Sequence, residues 1–179
     1  MKKIIIGMLI ILLLTGCGNN TARGAVDKYL KRYKTLDSEV LLDLENTIKE
    51  ENLTSKNEEK YRDVLKKQYK DLNYEIISEE YDEEVSYVTV KIEVYDLYKI
   101  IQDSEIYLEN NPQEFTNSDG VLDEDKYMSF RFDKMMTTTD RVSYEITFTV
   151  SREDKEYVVS QPTDNDLKKI HGIYRYDSN

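Results

Sequence analysis

The sequence contains few of the side chains from which metal centres and catalytic relays are built. Among 179 residues there is one cysteine, Cys17, and one histidine, His171. A lone cysteine cannot form an internal disulfide, and one cysteine with one histidine falls short of the ligand set of a zinc site. His171 lies in the last turn of a predicted helix, where we expect a favourable interaction with the helix dipole. We predict no metal site, no cofactor and no histidine relay.

Positive charge is scarce as well. The chain has 25 Lys and Arg residues against 36 Asp and Glu residues, which gives a formal net charge of −11. An acidic exterior repels phosphate groups, so the composition argues against nucleic acid as a partner. It also argues against binding of the folded part to anionic lipid headgroups. Solubility beside a negatively charged cell wall and bilayer is the simplest interpretation of this charge.

One acidic loop suggests a calcium site but does not match the calcium-binding pattern. Residues 117–125 have the sequence NSDGVLDED. An EF-hand loop needs an acidic first ligand, a glycine at position 6 and a bidentate Glu at position 12. With Gly120 at position 6, the first position is Phe115 and the twelfth is Lys126. We therefore predict a solvated acidic loop.

Long apolar runs are absent except for one at the amino terminus. Lys2 and Lys3 precede residues 4–14, which carry no charge. A basic start followed by such a run is typical of a secretory signal peptide. A membrane-spanning helix needs about 20 apolar residues, so this run is too short to be one.

The residues that end the run, Leu14-Thr15-Gly16-Cys17, resemble the lipobox of bacterial lipoproteins, in which Leu, a small residue and Gly or Ala precede an invariant Cys. The resemblance implies that diacylglycerol is attached to the thiol of Cys17. It also implies cleavage between Gly16 and Cys17, and a position on the extracytoplasmic face of the cell membrane. The alternative is an ordinary secreted protein with a cysteine at its cleavage site.

These features divide the chain into three expected parts. Residues 1–16 are the signal peptide, residues 17–21 a short polar tether with the lipidated cysteine, and residues 22–179 a single α+β domain. Cleavage removes Lys2 and Lys3 and no acid, which shifts the net charge from −11 to −13. Two acyl chains hold a protein stably on a bilayer. The membrane is therefore an expected partner through Cys17 alone.

Three amphipathic helices are predicted after the tether, because apolar residues recur there at spacings of three and four. Their inward stripes are Val26, Tyr29, Leu30 and Tyr33; Val40, Leu41, Leu44 and Ile48; and Tyr61, Val64, Leu65, Gln68, Tyr69 and Leu72. Asp37 is the expected cap of the second helix. Ser55 and Glu58 form the pattern of a capping box at the start of the third.

Two hairpins are predicted where the apolar period falls to 2. Their inward residues are Tyr74, Ile76 and Ser78 with Val88, Val90, Ile92 and Val94, and then Val142, Tyr144, Ile146, Phe148 and Val150 with Tyr157 and Val159. Residues 152–155 are the expected turn of the second hairpin. We expect Tyr87 and Tyr95 to cover a second apolar surface on the other face of the sheet.

Helical spacing returns between the hairpins and after them. One helix is predicted at residues 97–110, and another begins at Asp123 or Glu124, with Met128, Met135 and Met136 in the core. A last short helix ends at Gly172, because glycine commonly follows the last helical residue.

This order predicts an α+β fold, with N-terminal helices packed on a curved antiparallel four-stranded sheet and a helical insertion between two hairpins. The order resembles the NTF2-like, cystatin-like cone that recurs in small exported lipoproteins of Gram-positive bacteria. The resemblance implies a pocket inside the cone.

Two functions compete. The first is a non-catalytic binding module whose partner is a protein or a cell-wall component. The second is a small isomerase- or hydrolase-like enzyme that uses a buried carboxylate and a tyrosine hydroxyl. Its candidate residues are Tyr87, Tyr95, Tyr144 and Tyr157 on strands, and Asp96 and Asp140 near strand ends. We favour the binding module, because tyrosine also packs well on sheet surfaces. A two-lobed solute receptor would need a longer chain.

Overall fold

The structure, a computed structural model, describes residues 20–82 and 85–177. Its elements are α1 (Ala22–Thr35), α2 (Ser38–Glu50), α3 (Ser55–Lys70), β1 (Asn73–Asp82), β2 (Val85–Tyr95), α4 (Leu97–Asn110), a 3₁₀ turn (Pro112–Phe115), α5 (Glu124–Thr137), β3 (Arg141–Glu153), β4 (Glu156–Val159) and α6 (Asp164–His171). The predicted α+β class and order of elements are confirmed. The predicted signal peptide, the predicted cleavage at Gly16 and the predicted lipidation of Cys17 lie outside the described residues.

Helix starts were predicted correctly at α2 and wrongly at α3. Asp37 caps α2 as expected. The capping box at Ser55 and Glu58 is wrong, because the cap residue of α3 is Thr54 and its side chain bonds no backbone N–H of that helix. The Thr54 hydroxyl instead donates a hydrogen bond to Asp125 Oδ1 at 2.7 Å. A contact with a distant helix therefore replaces the local cap.

The strands form one antiparallel sheet in the order β1-β2-β3-β4. β2 and β3 pair in continuous register over the whole length of β2. In β1, Ile76 pairs with Val90 but Ser78 pairs with Thr89, so Ile77 is the extra residue of a β-bulge. The bulge turns Ser78 toward the face of Thr89. The prediction that Ser78 shares the inward face of the earlier β1 residues is therefore wrong.

The turn of the second hairpin is tighter than the four residues predicted. β3 continues to Glu153 and β4 begins at Glu156. Asp154 and Lys155 alone form the turn, with φ of 44° and 76°. Positive φ at both central residues matches the right-handed twist of the paired strands.

The core lies between one face of the sheet and the helices α1 and α3. The central strands contribute Val88, Val90, Ile92, Val94, Ile146, Phe148 and Val150, and the two helices contribute Val26, Leu30, Tyr33, Tyr61, Val64, Leu65 and Tyr69. α1 contacts all four strands. The predicted inward faces of β2, α1 and α3 are confirmed.

The opposite face of the sheet does not carry the second apolar surface that was predicted. Tyr87 is exposed there. The ring of Tyr95 lies under the Nζ atom of Lys67 at 4.2 Å and the guanidinium of Arg141 at 4.4 Å. Tyr87 therefore contacts solvent, and the ring of Tyr95 contacts two cationic side chains.

The insertion between the hairpins packs on α3. Lys60 Nζ lies 2.6 Å from Asp133 Oδ1 on α5, and the rings of Tyr61 and Phe132 stack with centroids 5.0 Å apart. Met136 is exposed, so its predicted place in the core is wrong. Lys67 on α3 still donates to the Met136 carbonyl at 2.7 Å, so α3 contacts the backbone of this turn while the Met136 side chain faces solvent.

The end of α6 is fixed against β2 at a glycine. Gly172 ends α6 as predicted, with φ of 74°. Beside it, the buried Gln68 side chain donates to the Tyr95 carbonyl at 3.0 Å and accepts from the Tyr95 N–H at 2.9 Å. A Cβ atom on Gly172 would lie 2.1 Å from Gln68 Nε2 and 2.2 Å from the Tyr95 carbonyl oxygen. This junction therefore has no space for a side chain.

We predict that Gly172→Ala destabilises the protein by more than about 3 kcal/mol, because left-handed backbone strain of about 1–3 kcal/mol adds to the steric overlap. Gly120→Ala is the matched control, since Gly120 has φ of 79° and nothing within 4 Å of a new Cβ. It should lose only about 1–2 kcal/mol. Urea unfolding measures both losses, and equal losses would contradict the close packing at residue 172.

Candidate ligand-binding site

A pocket of about 220 Å³ opens between α1, α2, α3 and the segment that leads into α6. Three tyrosines and the histidine meet in it, and we call it the Tyr–His pocket. It is lined by Tyr29, Tyr33, Val40, Asp43, Asn46, Thr47, Glu50, Tyr69, Gln161, Pro162, Leu167 and His171. Its wall thus combines aromatic rings with several hydrogen-bonding groups, as small-molecule sites commonly do.

The tyrosines and the histidine form two hydrogen-bonded pairs. The hydroxyl oxygens of Tyr29 and Tyr33 are 3.2 Å apart, and the Tyr69 hydroxyl lies 2.9 Å from His171 Nε2. The rings of Tyr33 and Tyr69 meet edge to face with centroids 5.1 Å apart. This contact joins the two pairs, and such a contact adds about 0.5–1.5 kcal/mol to the stabilisation from burial.

Helical geometry explains how these side chains come together. Tyr29 and Tyr33 are four residues apart on α1 and so share one face of the helix. Tyr69 lies in the last turn of α3, and His171 is the last residue of α6. Tyr33 and Tyr69 are buried, whereas Tyr29 and His171 are half-buried. The pocket therefore lies where three inward helix faces reach the edge of the core.

Burial shifts the pKa of each of these four groups further from neutral pH. It raises the pKa of Tyr29, Tyr33 and Tyr69, and the negative charge of Asp43 raises each pKa further. Burial also lowers the pKa of His171 to about 4. The prediction that His171 interacts favourably with the helix dipole is therefore wrong at neutral pH, because an imidazole with a pKa of about 4 carries no charge at that pH.

The chemistry that follows is recognition by hydrogen bonds and ring contacts. A general base works best when its pKa lies near the operating pH, and an imidazole with a pKa of about 4 is a weak base. Phenols with raised pKa keep their protons and act as donors. The two carboxylates of the lining, Asp43 and Glu50, are exposed at its rim.

The structure brings two of the predicted enzyme candidates together, away from this pocket. Asp96 is buried, and its Oδ2 accepts a hydrogen bond from the Tyr176 hydroxyl at 3.2 Å. Its Oδ1 accepts from the Lys99 N–H at 2.9 Å and caps α4. The Tyr144 hydroxyl is buried without a hydrogen-bond partner in the described chain, and burial together with the charge of Asp96 raises the Tyr144 pKa.

The remaining candidates are scattered. Asp140 and Tyr87 are exposed, and Tyr157 is half-buried on β4. Tyr95 donates its hydroxyl hydrogen bond to Asp71 at 2.8 Å. None of these four lines the Tyr–His pocket.

The acidic loop predicted at residues 117–125 is held by its own hydrogen bonds. Asn117 Oδ1 accepts from the N–H groups of Asp119 at 2.9 Å and Val121 at 3.0 Å. In residues 20–82 and 85–177, no group of three or more His, Cys, Asp or Glu side chains is placed to hold a metal ion. Within the same ranges, none of the helices combines the length and the apolar character that a membrane crossing requires.

Sequence reasoning identified the inward position of Tyr29, Tyr33 and Tyr69 but not their meeting with His171. The sequence feature that could have indicated this contact is the predicted end of α6 at His171 and Gly172, because Gly172 allows α6 to approach α3 closely.

Comparison of the chain with protein-family models, with curated proteins and with solved structures found no match in any of the three.

We predict that protonation of His171 destabilises the fold. The imidazole pKa is about 6.5 in the unfolded chain and about 4 in the folded one, so the unfolded state binds more protons between these values. The contribution of His171 to stability is complete above pH 6.5 and is lost as the pH falls toward 4; it amounts to at most about 3 kcal/mol. Urea unfolding of the wild type and His171→Gln at neutral and at acidic pH measures it.

The wild type should lose more stability on acidification than His171→Gln. Tyr69→Phe is the matched control, since it removes the hydrogen-bond partner but keeps the imidazole in the pocket, and it should retain the acid sensitivity. An equal loss in wild type and His171→Gln would contradict a lowered pKa of His171 in the folded protein.

Proposed function

We propose that the protein is a lipoprotein, attached through Cys17 to the extracytoplasmic face of the cell membrane, whose folded part is a non-catalytic binding module. The ligand site is the Tyr–His pocket. The observation that carries this proposal is the chemistry of its lining, in which three tyrosines and an imidazole are held neutral and hydrogen bonded. We also propose that the folded part is an NTF2-like cone. The position of α1 across one face of the sheet supports this assignment.

The start of the folded part supports a position close to the bilayer. Thr21 Oγ1 accepts a hydrogen bond from the Gly24 N–H at 3.0 Å and so fixes the beginning of α1. Four residues from Cys17 to Thr21 span at most about 14 Å. The acidic exterior is repelled by anionic headgroups at that distance. The partner is therefore sought among proteins and cell-wall components next to the membrane.

A small enzyme is the second candidate, and Asp96 is the observation that favours it. This carboxylate is buried and within hydrogen-bond distance of Tyr176. Both of its oxygens already hold structural contacts, however, and Asp96 lines none of the four described pockets. A substrate would have to displace the cap of α4 to reach it. The binding module is therefore the better supported function.

Replacing Cys17 with serine should abolish lipid attachment and release the protein into the medium, because serine lacks the thiol that is acylated. Gly16→Ala is the matched control, since it keeps the small residue that the lipobox pattern requires, and it should remain in the membrane. Labelling with an alkyne fatty acid and immunoblots of both fractions give the readout. Retention of the label by Cys17→Ser would contradict the anchor.

Binding in the pocket can be tested with a fragment library that contains neutral, cationic and anionic compounds. Ligands should shift the ring signals of Tyr29, Tyr33 and Tyr69 in NMR spectra and should be recovered unchanged. Tyr29→Phe removes one hydroxyl and should weaken binding by about fivefold, the effect of a hydrogen bond of about 1 kcal/mol. Tyr87→Phe, on the outer sheet face, should have no effect. Turnover of a ligand, or no binding by any class, would contradict the proposal.

A further inference from the structure

The Tyr–His pocket carries charge of only one sign. Among its twelve lining residues, Asp43 and Glu50 are carboxylates and none is Lys or Arg. Neither carboxylate forms an ion pair within the described part of the chain. The charge of Arg32 acts on Tyr29 and lowers its pKa, but the Arg32 guanidinium is bound to Asp37 at 2.5 Å and to Glu39. The local field at the pocket is therefore negative.

The carboxylate of Asp43 acts on the whole aromatic wall. It lines the pocket together with Tyr29, Tyr33 and Tyr69, and its charge is one of the causes that raise the pKa of each of these tyrosines. Asp43 is exposed at the mouth on α2. Its charge is free to act on a ligand, because no Lys or Arg of the described chain pairs with it.

Aromatic rings and an unpaired carboxylate favour the same kind of ligand. The face of a tyrosine ring attracts a cation within about 6 Å of its centroid, and such contacts contribute about 0.5–2 kcal/mol. Desolvation in the pocket penalises a small hydrated ion more than an alkylated ammonium, whose charge is spread beneath apolar groups. His171 is neutral and does not repel a cation. An anion would meet the carboxylates of Asp43 and Glu50, and no Lys or Arg lines the pocket.

We propose that the Tyr–His pocket binds a small organic cation, an alkylated ammonium group whose positive charge lies against the half-buried ring of Tyr29 and beside Asp43. This inference rests on the proposed binding function and specifies its ligand class. The alkylammonium group supplies the positive charge that the lining lacks, and its methyl groups pack on the aromatic wall.

Choline and 3,3-dimethylbutan-1-ol test the charge directly, because the two have nearly the same shape and differ in the ammonium nitrogen. Isothermal titration uses the full chain in detergent. Choline should bind about 5- to 30-fold more tightly than the alcohol, which corresponds to about 1–2 kcal/mol of cation–π attraction. Equal or tighter binding of the alcohol would overturn the cation inference and leave the pocket as a site for neutral ligands.

Asp43→Asn should weaken choline binding by about threefold, the effect of one solvent-exposed charge contact. Asp63→Asn is the matched control, since Asp63 is an exposed carboxylate outside the pocket and its replacement changes the net charge equally. Its affinity for choline should be unchanged. Equal weakening in both variants would overturn a specific role for Asp43, and no choline binding at millimolar concentration would overturn the inference itself. Failure of every fragment class, neutral ones included, would instead reject the proposed binding function.

Discussion

Burial of one face of the central strands is the constraint on which the structure depends. Along β2 and β3 every second side chain enters the core, and full burial of an aliphatic or aromatic side chain contributes about 1.5–3 kcal/mol. A shift of one residue in register would expose the entire set. The apolar stripes of α1 and α3 must cover this face, and the insertion and α6 then attach to α3. Gln68 and Gly172 make that attachment specific, because they leave no free volume between α3, β2 and α6.

The candidate site follows from the same covering layer. Where the inward faces of α1, α3 and α6 reach the edge of the core, the aliphatic residues give way to Tyr33, Tyr69 and His171. A phenol suits this position, since its ring is buried while its hydroxyl forms a hydrogen bond. The burial that stabilises the packing also lowers the pKa of His171. The carboxylates of the lining, Asp43 and Glu50, lie at the exposed rim of the pocket.

Local features of the fold were predictable from the sequence, and features that depend on distant contacts were not. The periods of apolar residues placed every helix and strand of the described chain except the short 3₁₀ turn, and Asp37 was identified as a cap. Thr54 could not be, because its hydroxyl bonds a residue on α5. The bulge that moves Ser78 depends on pairing with β2, and the exposure of Met136 depends on how α5 packs on the rest of the fold.

The site was predictable only in part, for a related reason. Periodicity put the tyrosines inward, but whether an inward tyrosine lines a pocket depends on how three helices meet. The charge state of His171 depends on burial in that arrangement, and position in a helix alone suggested the opposite. The lipobox-like pattern at residues 14–17, by contrast, is local, and the prediction drawn from it needs no knowledge of the fold.

The description of the Tyr–His pocket depends most directly on the shielding of its imidazole from water. Since His171 is the only histidine, its ring signals in an NMR titration of the protein are unambiguous. We expect them to titrate with a pKa of about 4 and to remain those of a neutral imidazole at pH 6. Titration near the ordinary value of about 6.5 would contradict it, because the imidazole would then be in contact with water and the pocket would not be the dry aromatic site described.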